Sequence, residues 1–338
     1  MEGLGHDREL AQFGQWLQAR YDGNAQGCNL CKNQQEIGEI DTDNFDENIK
    51  AKKLFELKLN HTREISILSN NSITNIISQV NSTANNINLS PEITSTKPEK
   101  GFKTELIRFN NGDTYQGYFN EKNQKDGYGE YIKANGFIYK GLWKDDKIGD
   151  YGVFIEPNGN YFKGHLINGQ ANGEGEMIIE NKFKCIGNFS NNLPNKKVKL
   201  FNYMDSSFYE GDMNNGKKEG KGILKFKDGT VYEGEFMNDK YEGKGKLIFK
   251  NGCCYEGNFS NNYIHGKGKY IYLDGKEYNG DFHMGLKHGF GRLSWNNNKY
   301  FEGYWINNKQ HGEGIFYLNG KILKGIFRYG KMIMKVEQ

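Results

Sequence analysis

A glycine recurs about every 23 residues from Gly101 onward, and most copies stand in a Tyr-x-Gly motif. Regular self-similarity at this period is typical of repeat architectures, in which each unit contacts only its neighbours along the chain. The repeat therefore predicts a stack of similar supersecondary units over residues 101–338. The recurring glycines are Gly117, Gly141, Gly164, Gly187, Gly211, Gly234, Gly257, Gly280, Gly303 and Gly325.

Each unit has the sequence pattern of a β-hairpin. In the unit that begins YEGEF, Tyr232, Gly234 and Phe236 alternate with charged residues, and a Gly-x-Gly pair, Gly243 and Gly245, follows. Alternation with a period of two places successive side chains on opposite faces of a strand. Asn-Gly and Asp-Gly dipeptides close the units and predict type I′ turns, which need positive φ angles. These dipeptides are Asn251-Gly252, Asp274-Gly275 and Asn319-Gly320.

Glycine lowers strand propensity, so its regular use in these strands needs another reason. We expect both the Tyr-x-Gly and the Gly-x-Gly glycines to leave space over the backbone for an aromatic ring from a neighbouring strand. The predicted structural residues of the repeat are Tyr209, Gly211, Tyr232, Gly234, Phe236, Gly243, Gly245, Tyr255, Gly257, Gly266 and Gly268.

The units resemble MORN repeats (membrane occupation and recognition nexus). The segment YEGDMNNGKKEGKGILKFKDG, from Tyr209 to Gly229, is similar to the family pattern, and the resemblance covers roughly residues 102–330. It implies a mainly β fold, an elongated single-layer antiparallel sheet of about ten stacked hairpins. It also implies a scaffold without enzymatic activity or cofactor, similar to axonemal and radial-spoke-head subunits of the family.

The chain preceding the repeats has a different composition. Leu10, Phe13, Trp16 and Leu17 have helical spacing and predict an amphipathic helix that docks into a groove of this chain or of a partner. We predict a helical extension over residues 1–68 and an Asn/Ser/Thr-rich linker over residues 69–100. Together these segments are too short and too polar for the catalytic domains that some MORN proteins carry.

The composition restricts the classes of partner and the cellular compartment that we expect for this chain. The net charge of +3 is small for 338 residues and argues against a nucleic-acid binder. The sequence has no apolar stretch of about 18 residues and no secretory signal, and its five cysteines suit a reducing compartment. We therefore expect a cytoplasmic, cytoskeletal protein that binds other proteins of a larger complex, with homodimer formation open.

The most prominent candidate for a ligand site is a row of lysines. Lys221, Lys244 and Lys267 occupy the same position in successive units and offer a surface for anionic lipid. The alternative is a charge-balanced face, because acidic residues occupy the preceding strands and exposed ion pairs contribute little. A peripheral membrane tether that uses basic repeat faces is thus the second functional hypothesis.

Other chemical motifs fail on spacing or context. His265, His288 and His311 lie one repeat apart, roughly 10 Å, which is too far for two of them to ligate one metal ion. The pair Cys28 and Cys31 has metal-like spacing without a second pair. Gly-x-Gly enters a strand, whereas phosphate-binding glycine motifs lead into a helix. We predict no catalytic or metal-binding residues.

Irregular units carry the remaining candidates. The unit from Lys184 to Tyr203 lacks the Gly-x-Gly pair and predicts a change in the bend or twist of the sheet. Several units carry apolar residues at positions that we expect on the outer face. Exposed apolar patches favour protein partners, although drift among repeats is the alternative. The predicted partner-binding residues on this face are Leu142, Tyr151, Val153, Phe290, Tyr304 and Ile315.

Overall fold

The computed structural model describes residues 101–336, and every regular element among them is a β-strand. The mainly β prediction is therefore confirmed. The predicted N-terminal helices, with Leu10, Phe13, Trp16 and Leu17, and the predicted linker lie outside the described residues. The strands are β1 (Phe102–Lys103), β2 (Ile107–Arg108), β3 (Thr114–Phe119), β4 (Lys125–Ile132), β5 (Ile138–Lys144), β6 (Lys147–Ile155), β7 (Tyr161–Ile167), β8 (Gln170–Ile179), β9 (Phe183–Ser190), β10 (Leu193–Asn202), β11 (Ser207–Asn214), β12 (Lys217–Lys225), β13 (Val231–Met237), β14 (Lys240–Ile248), β15 (Cys254–Ser260), β16 (Tyr263–Ile271), β17 (Glu277–His283), β18 (Leu286–Asn296), β19 (Lys299–Ile306), β20 (Lys309–Leu318), β21 (Lys321–Arg328) and β22 (Lys331–Lys335).

The strands belong to two compact structural units, called the first unit and the second unit; each of them contains several of the hairpin repeats, which are named after their central residues. The first comprises residues 101–227 and 236–239, and the second comprises residues 228–235 and 240–336. In the first unit β3 to β12 pair antiparallel in chain order, and β1 and β2 both pair with β3. In the second unit β14 to β22 pair in the same way. The predicted antiparallel sheet of consecutive hairpins is thus confirmed in each unit.

The repeated tyrosine packs over two glycines. Tyr232 is fully buried, and its hydroxyl donates a hydrogen bond to the carbonyl oxygen of Glu235 at 2.8 Å. A Cβ atom placed on Gly234 or Gly245 would lie 2.5 or 2.6 Å from that hydroxyl oxygen. For Gly245 the ring comes from the neighbouring strand, as predicted, but for Gly234 it comes from the same strand. The same hydroxyl-to-carbonyl bond recurs at Tyr115, Tyr139, Tyr209, Tyr255 and Tyr278.

These rings also contact one another along the inner face of each unit. The ring of Tyr232 packs edge-on against Phe259, and that of Tyr255 against Phe282, with centroids 5.0 and 5.2 Å apart. Edge-on packing of this kind adds stabilisation beyond area burial. The face is therefore covered largely by the rings of successive hairpins, and burial raises the pKa of the tyrosine hydroxyls above its usual value.

The first glycine of each Gly-x-Gly pair has a different role from the predicted one. Gly243 and Gly266 have φ angles of 63° and 62°, and a Cβ atom on them would meet Glu235 and Asn258 rather than a ring. Gly266 lies where the pairing of β15 with β16 shifts register. Positive φ at a bulge is a conformation that glycine adopts without steric cost. The ring-space prediction was wrong for these two residues.

The turns also divide into two types. Asn319 and Gly320 both have positive φ, so the predicted type I′ turn is confirmed there. At Asn251-Gly252 and Asp274-Gly275 only the glycine has positive φ, so the type I′ prediction was wrong. The type I′ turns occur mainly inside the units, at pairs such as Asn261-Asn262, with φ angles of 50° and 69°. Asparagine tolerates this left-handed conformation better than most residues.

Pairs of hydrogen bonds join five of these inner turns to the preceding hairpin. The backbone N–H of Asn262 donates to the carbonyl oxygen of Tyr241 at 3.1 Å, and the N–H of Tyr241 donates to Asn262 Oδ1 at 2.7 Å. The two residues are 21 positions apart, as are the other pairs that make the same two bonds. We call this arrangement the turn ladder; its pairs are Lys125 with Asp146, Ala171 with Asn192, Lys218 with Asp239, Tyr241 with Asn262, and Lys287 with Asn308.

The irregular unit keeps the strand pairing of its neighbours. Cys185 replaces the tyrosine and is fully buried, while Val198 replaces the second glycine and lies opposite Gly187. A small side chain thus occupies the ring position, and a larger one occupies the position that the ring would cover. Burial raises the pKa of the Cys185 thiol to about 12, so the thiol stays protonated at neutral pH.

Candidate partner-binding surface

Two predicted site residues meet on the outer face of the second unit. Phe290 on β18 lies directly opposite Tyr304 on β19, and their rings pack edge-on with centroids 5.5 Å apart. The side chains are 48% and 52% exposed, which is high for aromatic residues in a strand interior. The pair therefore offers apolar area to a partner without a change in the fold.

A stack of planar groups extends this surface. The Arg292 guanidinium lies 3.6 Å from the centroid of the Tyr300 ring, and Tyr300 stacks on Tyr317 with centroids 4.9 Å apart. Arg292 also forms an ion pair with Glu302 at 3.6 Å. Predicted Ile315 lies opposite Glu302 and is half-buried. We define the C-terminal aromatic surface as Phe290, Arg292, Tyr300, Tyr304, Ile315 and Tyr317.

The predicted residues of the first unit occupy equivalent outer positions but are less exposed. Leu142 lies opposite Tyr128, and Tyr151 lies opposite His165 with ring centroids 5.3 Å apart. Three of these side chains are half-buried, and that of His165 is exposed. Val153 is only 3% exposed, so its prediction as a surface residue was wrong.

The position of Val153 explains its burial. It pairs with Lys140 on one side and with Lys163 on the other. The aliphatic stems of lysines cover apolar surface while their ammonium groups stay in water. An apolar side chain that lies between two cross-strand lysines is therefore covered by their aliphatic stems.

The lysine row is partly neutralised by cross-strand carboxylates. Lys267 lies opposite Asp281, with Nζ to Oδ1 at 3.3 Å, and Lys246 lies opposite Glu256. Lys244 lies opposite Asn258 instead. The Lys267 side chain is 82% exposed, so this ion pair is screened by water and contributes little stability.

Histidine side chains lie closer together than repeat spacing alone indicates. His283, the last residue of β17, lies between His265 on β16 and His288 on β18, and its ring centroid is 5.0 and 5.7 Å from theirs. His311 instead contacts the ring of Tyr329. Across residues 101–336, no group of three or more His, Cys, Asp or Glu side chains is arranged to hold a metal ion.

Two lysines that pack against aromatic rings, the half-buried Lys125 and the buried Lys287, differ in how their charge is neutralised. Lys125 lies 5.1–5.8 Å from four aromatic ring centroids and forms an ion pair with Asp146 at 3.5 Å. Lys287 is 4% exposed, lies within 5.7 Å of three ring centroids, and donates a hydrogen bond to the Tyr272 hydroxyl at 3.1 Å. Burial, with a smaller contribution from Lys276, lowers the pKa of Lys287 to about 8.

The family model for the MORN repeat matches seven segments of the chain. They are residues 115–137, 139–161, 209–231, 232–254, 255–277, 278–300 and 301–320. The chain is a MORN-repeat protein. The resemblance stated from the sequence is thereby confirmed, and the unmatched stretch 162–208 contains the irregular unit around Cys185.

Other comparisons add little to this MORN assignment. The chain matches the SAS-4 (dCPAP) TCP domain of Drosophila melanogaster, solved with a proline-rich motif of Ana2 (dSTIL). That match has 14% identity over 64% of this chain and 90% of that chain, at a TM-score of 0.22. It also matches a catalytically inactive virginiamycin B lyase from Staphylococcus aureus, solved with quinupristin, at 10% identity over 68% and 95% of the two chains and a TM-score of 0.11. Such TM-scores do not indicate a shared fold. Comparison with curated proteins gives no match.

Sequence reasoning missed several members of the MORN outer face, including Tyr128, His165 and the stack formed by Arg292, Tyr300 and Tyr317. A positional signal was available for the first two. The middle residue of a Gly-x-Gly motif lies opposite the residue that follows the glycine of the next Tyr-x-Gly-type motif. Tyr128 lies opposite Leu142 in this way, and Phe290 lies opposite Tyr304. No helix in the described MORN region has the length and apolar character needed to cross a bilayer.

Proposed function

We propose that this MORN-repeat chain is a non-enzymatic scaffold that binds a partner protein through the C-terminal aromatic surface. The observation that supports the proposal is the exposed pair Phe290 and Tyr304 beside the stacked Arg292 and Tyr300. Tyrosine, phenylalanine and arginine are enriched in protein interfaces, and residues of these types often dominate the binding energy.

The repeat supplies the rigidity that such a surface needs. Phe290 and Tyr304 lie on paired strands whose opposite faces bury Leu293 and Phe301. Side chains held by a packed sheet lose little conformational entropy when they bind, which favours affinity. The neighbouring position one repeat earlier carries Lys267 and Asp281, so the aromatic pair is a local feature of the array.

The double variant Phe290→Ser with Tyr304→Ser tests this proposal. We expect a decrease of at least about tenfold in partner recovery when the tagged chain is isolated from its native cells. The matched control is Lys244→Ser with Asn258→Ser, which changes the same two repeat positions two repeats earlier. Both variants should keep the melting temperature of the parent chain. Equal partner recovery from the two variants would refute the proposal.

We also propose the cytoskeletal, ciliary axonemal setting that the sequence resemblance implies. The support is the resemblance to axonemal MORN subunits, and a fluorescently tagged chain tests it. Labelling along axonemes is the expected result, and uniform cytosolic labelling in ciliated cells would contradict the axonemal assignment.

A peripheral membrane tether is the alternative function. The exposed ammonium group of Lys267 and the position of Lys244 opposite Asn258 favour it. Flotation with vesicles that contain phosphatidylserine tests it, because charge attraction to anionic lipid falls with salt. Salt-sensitive binding that is lost in the triple variant Lys221→Glu, Lys244→Glu and Lys267→Glu would favour the tether over the scaffold.

A further inference from the structure

The last hairpin of the array, β21 and β22, carries an unbalanced charge. No carboxylate occurs between residues 314 and 336, whereas five cations do: Lys321, Lys324, Arg328, Lys331 and Lys335. In the described part of the chain, none of these five forms an ion pair.

Another cationic strand of the array, β10, is partly neutralised by the strand beside it. Residues 181–204 also lack carboxylates, but Lys197 on β10 contacts Asp212 on β11 at 2.8 Å, and Lys199 contacts Glu210 at 3.3 Å. The basic strand β10 thus has an acidic strand, β11, as its next neighbour. β22 has β21 on one side and no further strand among residues 101–336 on the other.

The side chains of β22 are exposed as well as basic. Met332, Ile333 and Met334 are 38%, 54% and 57% exposed. A strand at the edge of a sheet also has backbone N–H and C=O groups without a ladder partner, which makes it a template for another strand. The complementary occupant is an extended segment with carboxylates and some large apolar residues.

We propose that residues 36–47 of this chain add to β22 as the next strand. The segment reads EIGEIDTDNFDE and carries six carboxylates with Ile37, Ile40 and Phe45. No basic residue occurs between Lys32 and Lys50, so this segment is the acidic counterpart of the last hairpin. The pairing places opposite charges on neighbouring strands, as β10 and β11 do.

Two other occupants fit less well. A second copy of β22 would bring a lysine-bounded strand, KMIMK, against an identical one, and like charges opposite each other destabilise a sheet. An anionic bilayer would match the charge but offers no regular row of donors and acceptors to the edge of the strand.

Chain length permits the pairing. Residues 48–100 provide 53 residues of connection, which reach up to about 170 Å when extended. Even 22 strands side by side at ~4.8 Å would span only about 105 Å. The inference concerns the edge of the array and does not depend on the C-terminal aromatic surface.

Amide hydrogen exchange of the full-length chain tests the proposal. One variant replaces the six carboxylates of the segment by amides (Glu36→Gln, Glu39→Gln, Asp41→Asn, Asp43→Asn, Asp46→Asn and Glu47→Gln). We expect exchange of residues 331–335 to become at least about tenfold faster than in the parent chain, because the added strand is lost. β19 is the internal reference and should exchange at an unchanged rate.

A matched control makes the same charge change elsewhere, at the exposed residues Glu105, Glu121, Glu174, Glu180, Glu233 and Glu313. It should leave exchange in β22 unchanged. A synthetic peptide of residues 36–47 added to the neutralised variant should restore protection of β22.

Three results would overturn the proposal. Equal exchange of β22 in the parent chain, the neutralised variant and the control would show that the segment does not cover the edge. Protection that appears only as the chain dimerises would indicate a second copy. Protection of β22 by phosphatidylserine vesicles, with no effect of the segment variant, would identify a membrane as the occupant.

Discussion

The regular unit around Tyr232 and the irregular unit around Cys185 fill the same space in different ways. In the first, a tyrosine ring lies over Gly234 and Gly245; in the second, Cys185 is combined with Gly187 and Val198. Both central side chains are fully buried. A repeat position therefore does not require a particular residue, but it requires a residue that suits the partner across the hairpin.

Lys125 and Lys287, which pack against aromatic rings, show a similar dependence on a neighbouring residue, here for charge instead of volume. Lys125 and Lys287 occupy equivalent repeat positions, and the residue 21 positions later is Asp146 for one and Asn308 for the other. The first lysine has a carboxylate beside it, whereas the second has a hydroxyl and aromatic rings. Compensation is thus present at Cys185 and Lys125 and missing at Lys287.

The largest expected effect is that of Gly245→Val, which breaks the regular arrangement. The added side chain would collide with the ring of Tyr232, so we expect a loss of about 3 kcal/mol in the free energy of unfolding. Chemical denaturation of the isolated chain measures it. The double variant with Tyr232→Ala should lose less than the sum of the single effects, and strict additivity would contradict ring packing over this glycine.

Converting the irregular unit toward the regular one gives the next largest effect. Cys185→Tyr alone should destabilise the chain by about 2 kcal/mol, because the ring would meet Val198. Adding Val198→Gly should recover most of this loss. A coupling energy near zero between the two positions, measured by thermal or chemical unfolding, would refute volume compensation.

Charge compensation predicts opposite outcomes for one substitution at two sites. Lys287→Met should stabilise the chain at pH 7 on the order of 1–2 kcal/mol, since it removes a buried cation whose pKa is lowered to about 8. The matched variant Lys125→Met should give no such gain, because it removes the ion-pair partner of the Asp146 carboxylate. The free energies of unfolding of both variants and of the parent chain, measured by chemical denaturation at pH 7, test this prediction.

The pH dependence of Lys287→Met carries the same information. Between pH 8 and 10.5, the unfolded chain keeps a proton on Lys287 that the folded chain has released, so stability rises with pH over this range. The advantage of the methionine variant should therefore shrink as the pH is raised from 7 to 10.5. A constant difference from the parent chain would show that the lysine is not buried as a cation.

The smallest effect concerns backbone conformation in the irregular unit. Lys196 has a φ angle of 57°, whereas Gly220, at the corresponding position of the next unit, has 82°. A side chain in this left-handed region costs free energy that glycine avoids. Lys196→Gly should raise the melting temperature, with a gain of about 1 kcal/mol, whereas Lys197→Gly in the neighbouring position should lower it.

The hairpins were predictable because their signals are local and repeated. Alternation around Tyr232 and the 23-residue period determine the strands and their pairing. The role of Gly243 was not predictable in the same way, because ring space and positive φ both favour glycine and the sequence does not separate them. The structure separates them through the positive φ angle of Gly243, and at the equivalent Gly266 also through a register shift between β15 and β16.

The candidate site was harder to predict because exposure depends on cross-strand neighbours. Phe290 and Tyr304 were identified correctly as outer residues, but Val153 has the same alternation and is buried between two lysines. Tyr300 and Tyr317 lie opposite each other on β19 and β20 but outside the Tyr-x-Gly and Gly-x-Gly motifs, so those motifs do not indicate their stack. Register, rather than composition, decides which of these side chains meet.

The turn ladder restricts how such a gene can change its length. In the five inner turns of the ladder, a backbone N–H donates to a residue 21 positions earlier and a side-chain oxygen accepts from that residue's N–H, and these bonds join one hairpin to the next. An insertion of one or two residues within a hairpin would break this spacing on both sides of the insertion. Duplication or loss of a complete unit leaves every bonded pair intact, so the array can evolve in steps of whole repeats while its spacing inside each repeat is conserved by hydrogen-bond geometry.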